Sequence, residues 1–234
     1  MKFDANFAEV EAIQLQAAIL LYGPKSKGIS FASVHEPYRD QGGAPYLDAG
    51  RPITVEFLRT MARGLGLQMS LEILPETVLV RTPDVVAWWV PAAVRPMFFS
   101  AASDGKTLSG KVYPHPPLVF AVEGDHGLRI RALLENRRPD RHSAIAIAPY
   151  WNISADGVVC LGDTPMPHSA SLDSLSEWVD GFFRSEFTHS GATKLTNHPE
   201  GHLGLWRDLA GRQKFPAEWL APADKLEAWL CQKR

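Results

Sequence analysis

The run Tyr150-Trp151-Asn152-Ile153-Ser154-Ala155-Asp156-Gly157-Val158-Val159-Cys160-Leu161 decides how this chain is read. Asp156-Gly157 is a turn signal, because aspartate bonds its own backbone and glycine reaches left-handed φ values at no steric cost. The β-branched pair Val158 and Val159 leaves the turn as an extended limb and delivers one thiol, Cys160. The amide of Asn152 waits on the incoming limb, eight positions earlier. A thiolate attacks carbonyls well and later leaves easily, so an acyl group held on it remains transferable to an amine. A side-chain amide N–H nearby is a donor for the oxyanion formed in that transfer.

Upstream of this loop, apolar runs at 85–90, 118–123, 128–134 and 144–148 predict strands separated by turn signals. Gly124-Asp125-His126-Gly127 is short enough to close a hairpin, so the sheet is expected to be an antiparallel meander. Leu128, Ile130, Ala132 and Leu134 form its inward face, with Arg129 and Arg131 turned outward. Downstream, Leu172, Leu175, Val179, Phe182 and Phe183 recur at helical spacing, with Ser171 as cap, and this helix is expected to cover the sheet. Leu205, Trp206 and Leu209, then Leu226, Trp229 and Leu230, mark two shorter helices. The architecture is therefore α+β.

Residues 1–81 read as an N-terminal β-β-α-β extension to a domain over 82–234. Strands are expected at 13–21 and 29–35, followed by a loop over 36–51. A helix opens at Pro52 with Ile53, Phe57, Leu58, Met61 and Leu65 as its stripe, and Leu67, Met69, Leu71 and Ile73 alternate as a third strand. That helix could equally be the first helix of the domain that follows.

With 45% apolar residues in 234, the chain can bury a substantial core. A net charge of −2 without a sustained basic run argues against general nucleic-acid binding. The start lacks a leader pattern and no apolar run approaches the length that spans a bilayer, which implies a cytoplasmic protein without a membrane partner. Two cysteines, Cys160 and Cys231, do not make a disulfide framework.

Each singled-out residue also has a plainer explanation. Cys160 between Val159 and Leu161 could be an ordinary core thiol, and Asn152 could bond its own turn. Asp163 and His168 follow the thiol and could orient or deprotonate an amine, or simply be solvated loop residues. His189, His198 and His202 make a metal site only if their spacing is helical, which Pro199 and Gly201 oppose, so no metal is expected. No glycine-rich nucleotide fingerprint follows an expected strand.

The loop resembles the active-site segment of ubiquitin-conjugating enzymes, in which a His-Pro-Asn triplet precedes the acceptor cysteine. Asn152, Ile153, Gly157, Val159, Cys160 and Leu161 match that pattern without a gap, while Tyr150 and Trp151 stand where the family has His and Pro. The substitutions resemble those of divergent bacterial relatives. Ala148-Pro149-Tyr150-Trp151-Asn152 and Phe187-Thr188-His189 are similar to proteins of the ParB-related, ThiF-related (PRTRC) cassette. The resemblance implies a ubiquitin-conjugating-like β-meander packed on helices, with Cys160 and Asn152 as catalytic residues. It implies a supporting loop of Tyr150, Trp151, Asp156 and Gly157, with the Tyr150 hydroxyl bonding loop backbone and Trp151 packing. The implied partners are a ThiF-like activating enzyme, a small ubiquitin-like protein and an amine substrate, with no cofactor bound to this chain. The alternatives are a catalytically silent module that presents the modifier, and a cysteine hydrolase.

Overall fold

The computed structural model describes residues 15–24, 26, 28–39, 41, 45–66, 72–100, 105–124, 127–169, 171–189 and 194–232. The chain divides between Glu72 and Ile73 into two units, ahead of the division expected after residue 81.

The first unit contains β1 (Ala18–Tyr22), β2 (Phe31–His35), β3 (Pro37–Arg39), β4 (Pro45–Leu47), β5 (Arg51–Pro52) and α1 (Val55–Gly64). Strands β1, β2 and β5 form an antiparallel sheet. The stretch expected as a loop holds the β3–β4 hairpin, with Tyr38 stacked on Tyr46 at 5.9 Å between centroids. Pro52 lies in β5 and not in the helix. Helix α1 is capped instead by Thr54, whose Oγ1 accepts the Phe57 N–H at 3.1 Å, which satisfies one of the unpaired donors of a first helical turn. None of its residues is buried. The expected strand residues 13, 14 and 67–71 lie outside the described residues, and Ile73 is exposed and outside any strand.

The second unit contains β6 (Val78–Arg81), β7 (Val85–Val90), β8 (Ala93–Pro96), β9 (Phe98–Phe99), β10 (Val112–His115), β11 (Leu118–Glu123), β12 (Gly127–Leu133) and β13 (Ala144–Ile147). After the thiol loop follow α2 (Leu175–Arg184), β14 (Glu186–Phe187), α3 (Gly201–Leu209), β15 (Pro222–Lys225) and α4 (Leu226–Leu230). The central sheet runs β15-β13-β12-β11-β7-β6, and every pairing in it is antiparallel. Strand β6 is one edge, pairing Val78 with Trp88, which is why this unit begins before residue 81. Strand β15 is the other edge, where Pro222 takes a position that proline tolerates. Between β7 and β11 the chain makes a β8–β10 hairpin. Strands β9 and β14 pair in parallel over two residues. Pro96 in β8 and Pro114 in β10 mask the alternation of those two strands in the sequence.

One face of the sheet carries Phe120 and Ile130 and packs on α2 and α3 through Val179, Phe182, Leu205 and Trp206. The Phe120 and Phe182 rings meet edge to face at 5.8 Å, a favoured arrangement of aromatic quadrupoles. The other face packs Val119, Ala121 and Leu133 against Leu226 and Trp229. Arg129 and Arg131, expected to face solvent, are therefore 1% and 6% exposed. Arg129 tolerates burial because it pairs with Glu123, donates through Nη1 to the Trp229 carbonyl at 3.1 Å, and lies 4.8 Å from the centre of the Trp229 ring.

Candidate functional site

Leaving β13, the chain passes through Tyr150 and folds back at Asp156-Gly157 as a small hairpin. Ser154 N–H donates to the Val158 carbonyl (2.9 Å) and Cys160 N–H to the Asn152 carbonyl (2.7 Å), framing the pair Ile153 and Val159. The Ser154 hydroxyl and Asp156 carboxylate bond across the tip. Gly157 has φ +94°, and a Cβ there would meet the Ile130 carbonyl oxygen at 2.8 Å, so glycine is required both for conformation and for space. The outgoing limb runs beside β12, with Val159 N–H on the Leu128 carbonyl (2.9 Å) and Ile130 N–H on the Gly157 carbonyl (2.8 Å). Ile153 and Val159 are buried, whereas Cys160, one residue beyond, is exposed.

Asn152 is buried and adopts φ 60°, the only positive φ of a non-glycine among the described residues. Asparagine enters this region more readily than other L residues, because its short polar side chain bonds locally. The bonds go not to its own turn but to the segment after α2. Nδ2 donates to the Glu186 carbonyl (2.8 Å), while Oδ1 accepts from Thr188 N–H (3.0 Å) and the Thr188 hydroxyl (2.8 Å). Its backbone N–H donates to the His189 carbonyl (2.9 Å). The amide thus ties the incoming limb to residues 186–189. With the Thr188 proton on Asn152, the His189 Nδ1, 2.8 Å from Thr188 Oγ1, is the donor of that contact.

Tyr150 is fully buried, stacked on Phe187 and edge-on to Phe182. Its hydroxyl bonds the His115 side chain (Nδ1, 2.9 Å) rather than the loop backbone expected for it, because β10 brings His115 beneath the loop. Burial raises the Tyr150 pKa well above its ordinary value, so the phenol keeps its proton. Burial also lowers His115 to about 3. The neutral imidazole accepts from Tyr150 through Nδ1 and donates through Nε2 to the Arg95 carbonyl at 3.3 Å. Trp151 packs as expected, edge-on to Phe99 and stacked on His202. His202 Nε2 lies 2.9 Å from both the Pro149 carbonyl and Trp206 Nε1, and burial holds its pKa at about 4 against the opposing effect of that carbonyl. Neither Tyr150 nor Trp151 is a base; together they seat the stretch that leads into Asn152.

Asp163 and His168 are exposed on the stretch after the thiol, and among the described residues no hydrogen bond or ion pair joins either to Cys160. His168 borders a recess of about 380 Å³ with Asp84, Ser169 and Ser171. His198 bonds Asp208 (3.2 Å) and the Glu200 N–H (3.2 Å). No three His, Cys, Asp or Glu side chains among the described residues are grouped to hold a metal ion. No described helix is long and apolar enough to cross a membrane. Cys231 is exposed just after α4. Reasoning from the sequence missed Thr188 and the carbonyls of Glu186 and His189 as partners of Asn152. The Phe187-Thr188-His189 signal was visible, but its contact with residue 152 is tertiary.

Residues 57–223 match the sequence profile of prokaryotic E2 family D. The match begins inside α1, contains the meander and the thiol hairpin, and ends inside β15, so α4 lies beyond it. No curated protein and no solved structure matches the chain.

Proposed function

We propose that this chain, which belongs to prokaryotic E2 family D, carries a ubiquitin-like modifier as a thioester on Cys160 and passes it to an amine. Membership of the family suggests a role related to ubiquitin conjugation. The observation that carries the finer reading is the exposed thiol of Cys160, whose backbone N–H bonds Asn152 at the end of a hairpin anchored on both limbs. An acceptor cysteine needs access for two large partners and a fixed direction of approach, and a pinned loop with an exposed thiol meets both needs.

In this reading a ThiF-like activating enzyme spends ATP upstream and presents the modifier's C-terminus as a thioester. The Cys160 thiolate attacks that carbonyl, a new C–S bond forms, and the activating enzyme's thiolate departs. An amine then attacks the Cys160 thioester and loses a proton as the amide forms, and Cys160 leaves as thiolate. The chain needs no cofactor of its own, because the energy is stored in the thioester. Asn152 acts mainly as a positioning residue, since one of its amide hydrogens is engaged by Glu186 and its oxygen by Thr188. Asp163 and His168 are assigned to orient the amine from the exposed stretch beyond the thiol.

The test is incubation of the full chain with a ThiF-like activating enzyme, a small ubiquitin-like protein and ATP, followed on a non-reducing gel. A modifier adduct that thiol reagents release is expected. A charged activating enzyme with no adduct on this chain would favour a silent module that only presents the modifier. Release of modifier from a conjugate without the activating enzyme would favour a cysteine hydrolase.

A further inference from the structure

The tip of the thiol hairpin is held by groups that the Asn152 clamp does not include. Trp229 Nε1 donates to the Asp156 carbonyl at 3.1 Å, and Arg131 Nη2 donates to the Ala155 carbonyl at 2.7 Å. Two successive carbonyls of the turn are thus bonded by side chains from α4 and β12. The Trp229 ring is itself fixed. It is 1% exposed, its centre lies 4.8 Å from the Arg129 guanidinium and 5.9 Å from that of Arg131, and its backbone carbonyl accepts from Arg129 Nη1. A Cβ on Gly157 would stand 3.4 Å from Trp229 Nε1, so the indole closes directly over the turn. Helix α4 follows β15, which pairs with β13, the strand that feeds the hairpin. Trp229 lies beyond the segment that matches the family profile.

We propose that Trp229 is a positioning residue for Cys160, and that the C-terminal segment from Pro222 to Leu230 fixes the thiol hairpin from the sheet face opposite α2. The hairpin is short, and a two-residue tip without partners would open and close freely. Bonds to both tip carbonyls restrict that motion, which holds Cys160 and its carbonyl-bonded neighbour Asn152 in one geometry while an amine attacks. This role rests on reading Cys160 as the acceptor.

Trp229→Phe in the full chain keeps an aromatic ring in the Arg129 and Arg131 site and removes the indole N–H together with part of the ring volume. Amide hydrogen exchange over residues 154–160 is expected to rise about fivefold or more, with exchange in 118–123 unchanged. In single turnover, discharge of preloaded Cys160 onto free lysine is expected to slow about fivefold in rate constant with its amplitude unchanged, whereas simple loss of folded protein lowers the amplitude and leaves the rate constant alone. Unchanged exchange over 154–160 in folded Trp229→Phe overturns the proposal. So does a rise spread evenly over every strand, which marks Trp229 as a core residue only. Should Trp229→Phe not fold, Trp229→Met fills the same site with an apolar side chain that has no donor for the Asp156 carbonyl, and the same two exchange results decide. If the wild-type chain never loads a modifier, the reading of Cys160 fails, yet the exchange measurement still decides whether Trp229 anchors the loop.

Discussion

Asn152 combines two demands in one side chain: a left-handed backbone and an amide that closes bonds to Glu186 and Thr188. The demands can be separated. Asn152→Gly keeps the backbone conformation and loses the clamp to Glu186 and Thr188, at a cost of about 0.5–1.5 kcal/mol for each hydrogen bond lost. Asn152→Ala loses the clamp and also strains φ 60°, adding roughly 1 kcal/mol. Urea unfolding should rank the three proteins wild type, Gly, Ala in falling stability. In single-turnover assays, loading and discharge should weaken together in both variants. Discharge slowed about 10²-fold with stability and loading intact would instead mark the amide as an oxyanion donor. At this scale the sequence was partly legible. The spacing of Asn152 and Cys160 announced a paired loop, and their backbones are bonded. It did not announce that the Asn152 side chain turns towards residues 186–189, since that contact spans more than thirty positions and depends on where α2 ends.

Among the elements, β10 and α3 enclose two histidines against the loop. His115 on β10 lies 5.4 Å from the Trp206 ring on α3, and His202 on α3 stacks on Trp151. Both have depressed pKa values, about 3 and about 4, caused first by burial, against 6.5 in an open chain. The unfolded chain therefore binds more protons below pH 6.5. Stability that is present in full above pH 6.5 is lost as pH falls towards 4 for His202 and towards 3 for His115, with a limiting slope of about 1.4 kcal/mol per pH unit for each. Urea midpoints followed from about pH 7.5 to 4.5 should fall with acid, and His202→Gln should flatten part of the slope. A slope unchanged by that substitution would mean His202 does not contribute. The meander strands and α2 were readable from period, because each buries at least one regular face. The edges were not. Strand β6 is short, β15 contains a proline and pairs only through tertiary contact, and the β8–β10 hairpin carries prolines in both strands. Arg129 and Arg131 read as solvent-facing because a period-two pattern cannot reveal that α4 returns to cover that face.

At the level of the whole molecule, the family match spans most of the chain and includes the meander, the hairpin and α2, the parts whose order the sequence displayed most openly. The segment beyond the match, with Trp229, was legible only as a short helix; its place over the Asp156-Gly157 turn follows from the closing of the sheet by β15. Two exposed thiols remain to be told apart chemically, since Cys160 and Cys231 are both open to solvent and only Cys160 lies in a pinned hairpin. Intact mass measurement after reaction with activating enzyme, modifier and ATP separates them. The account predicts one modifier on wild type and on Cys231→Ser, released by thiol, and on Cys160→Ser either no adduct or a thiol-resistant oxyester. Normal thiol-labile loading of Cys160→Ala, with loss of loading in Cys231→Ala, would contradict it.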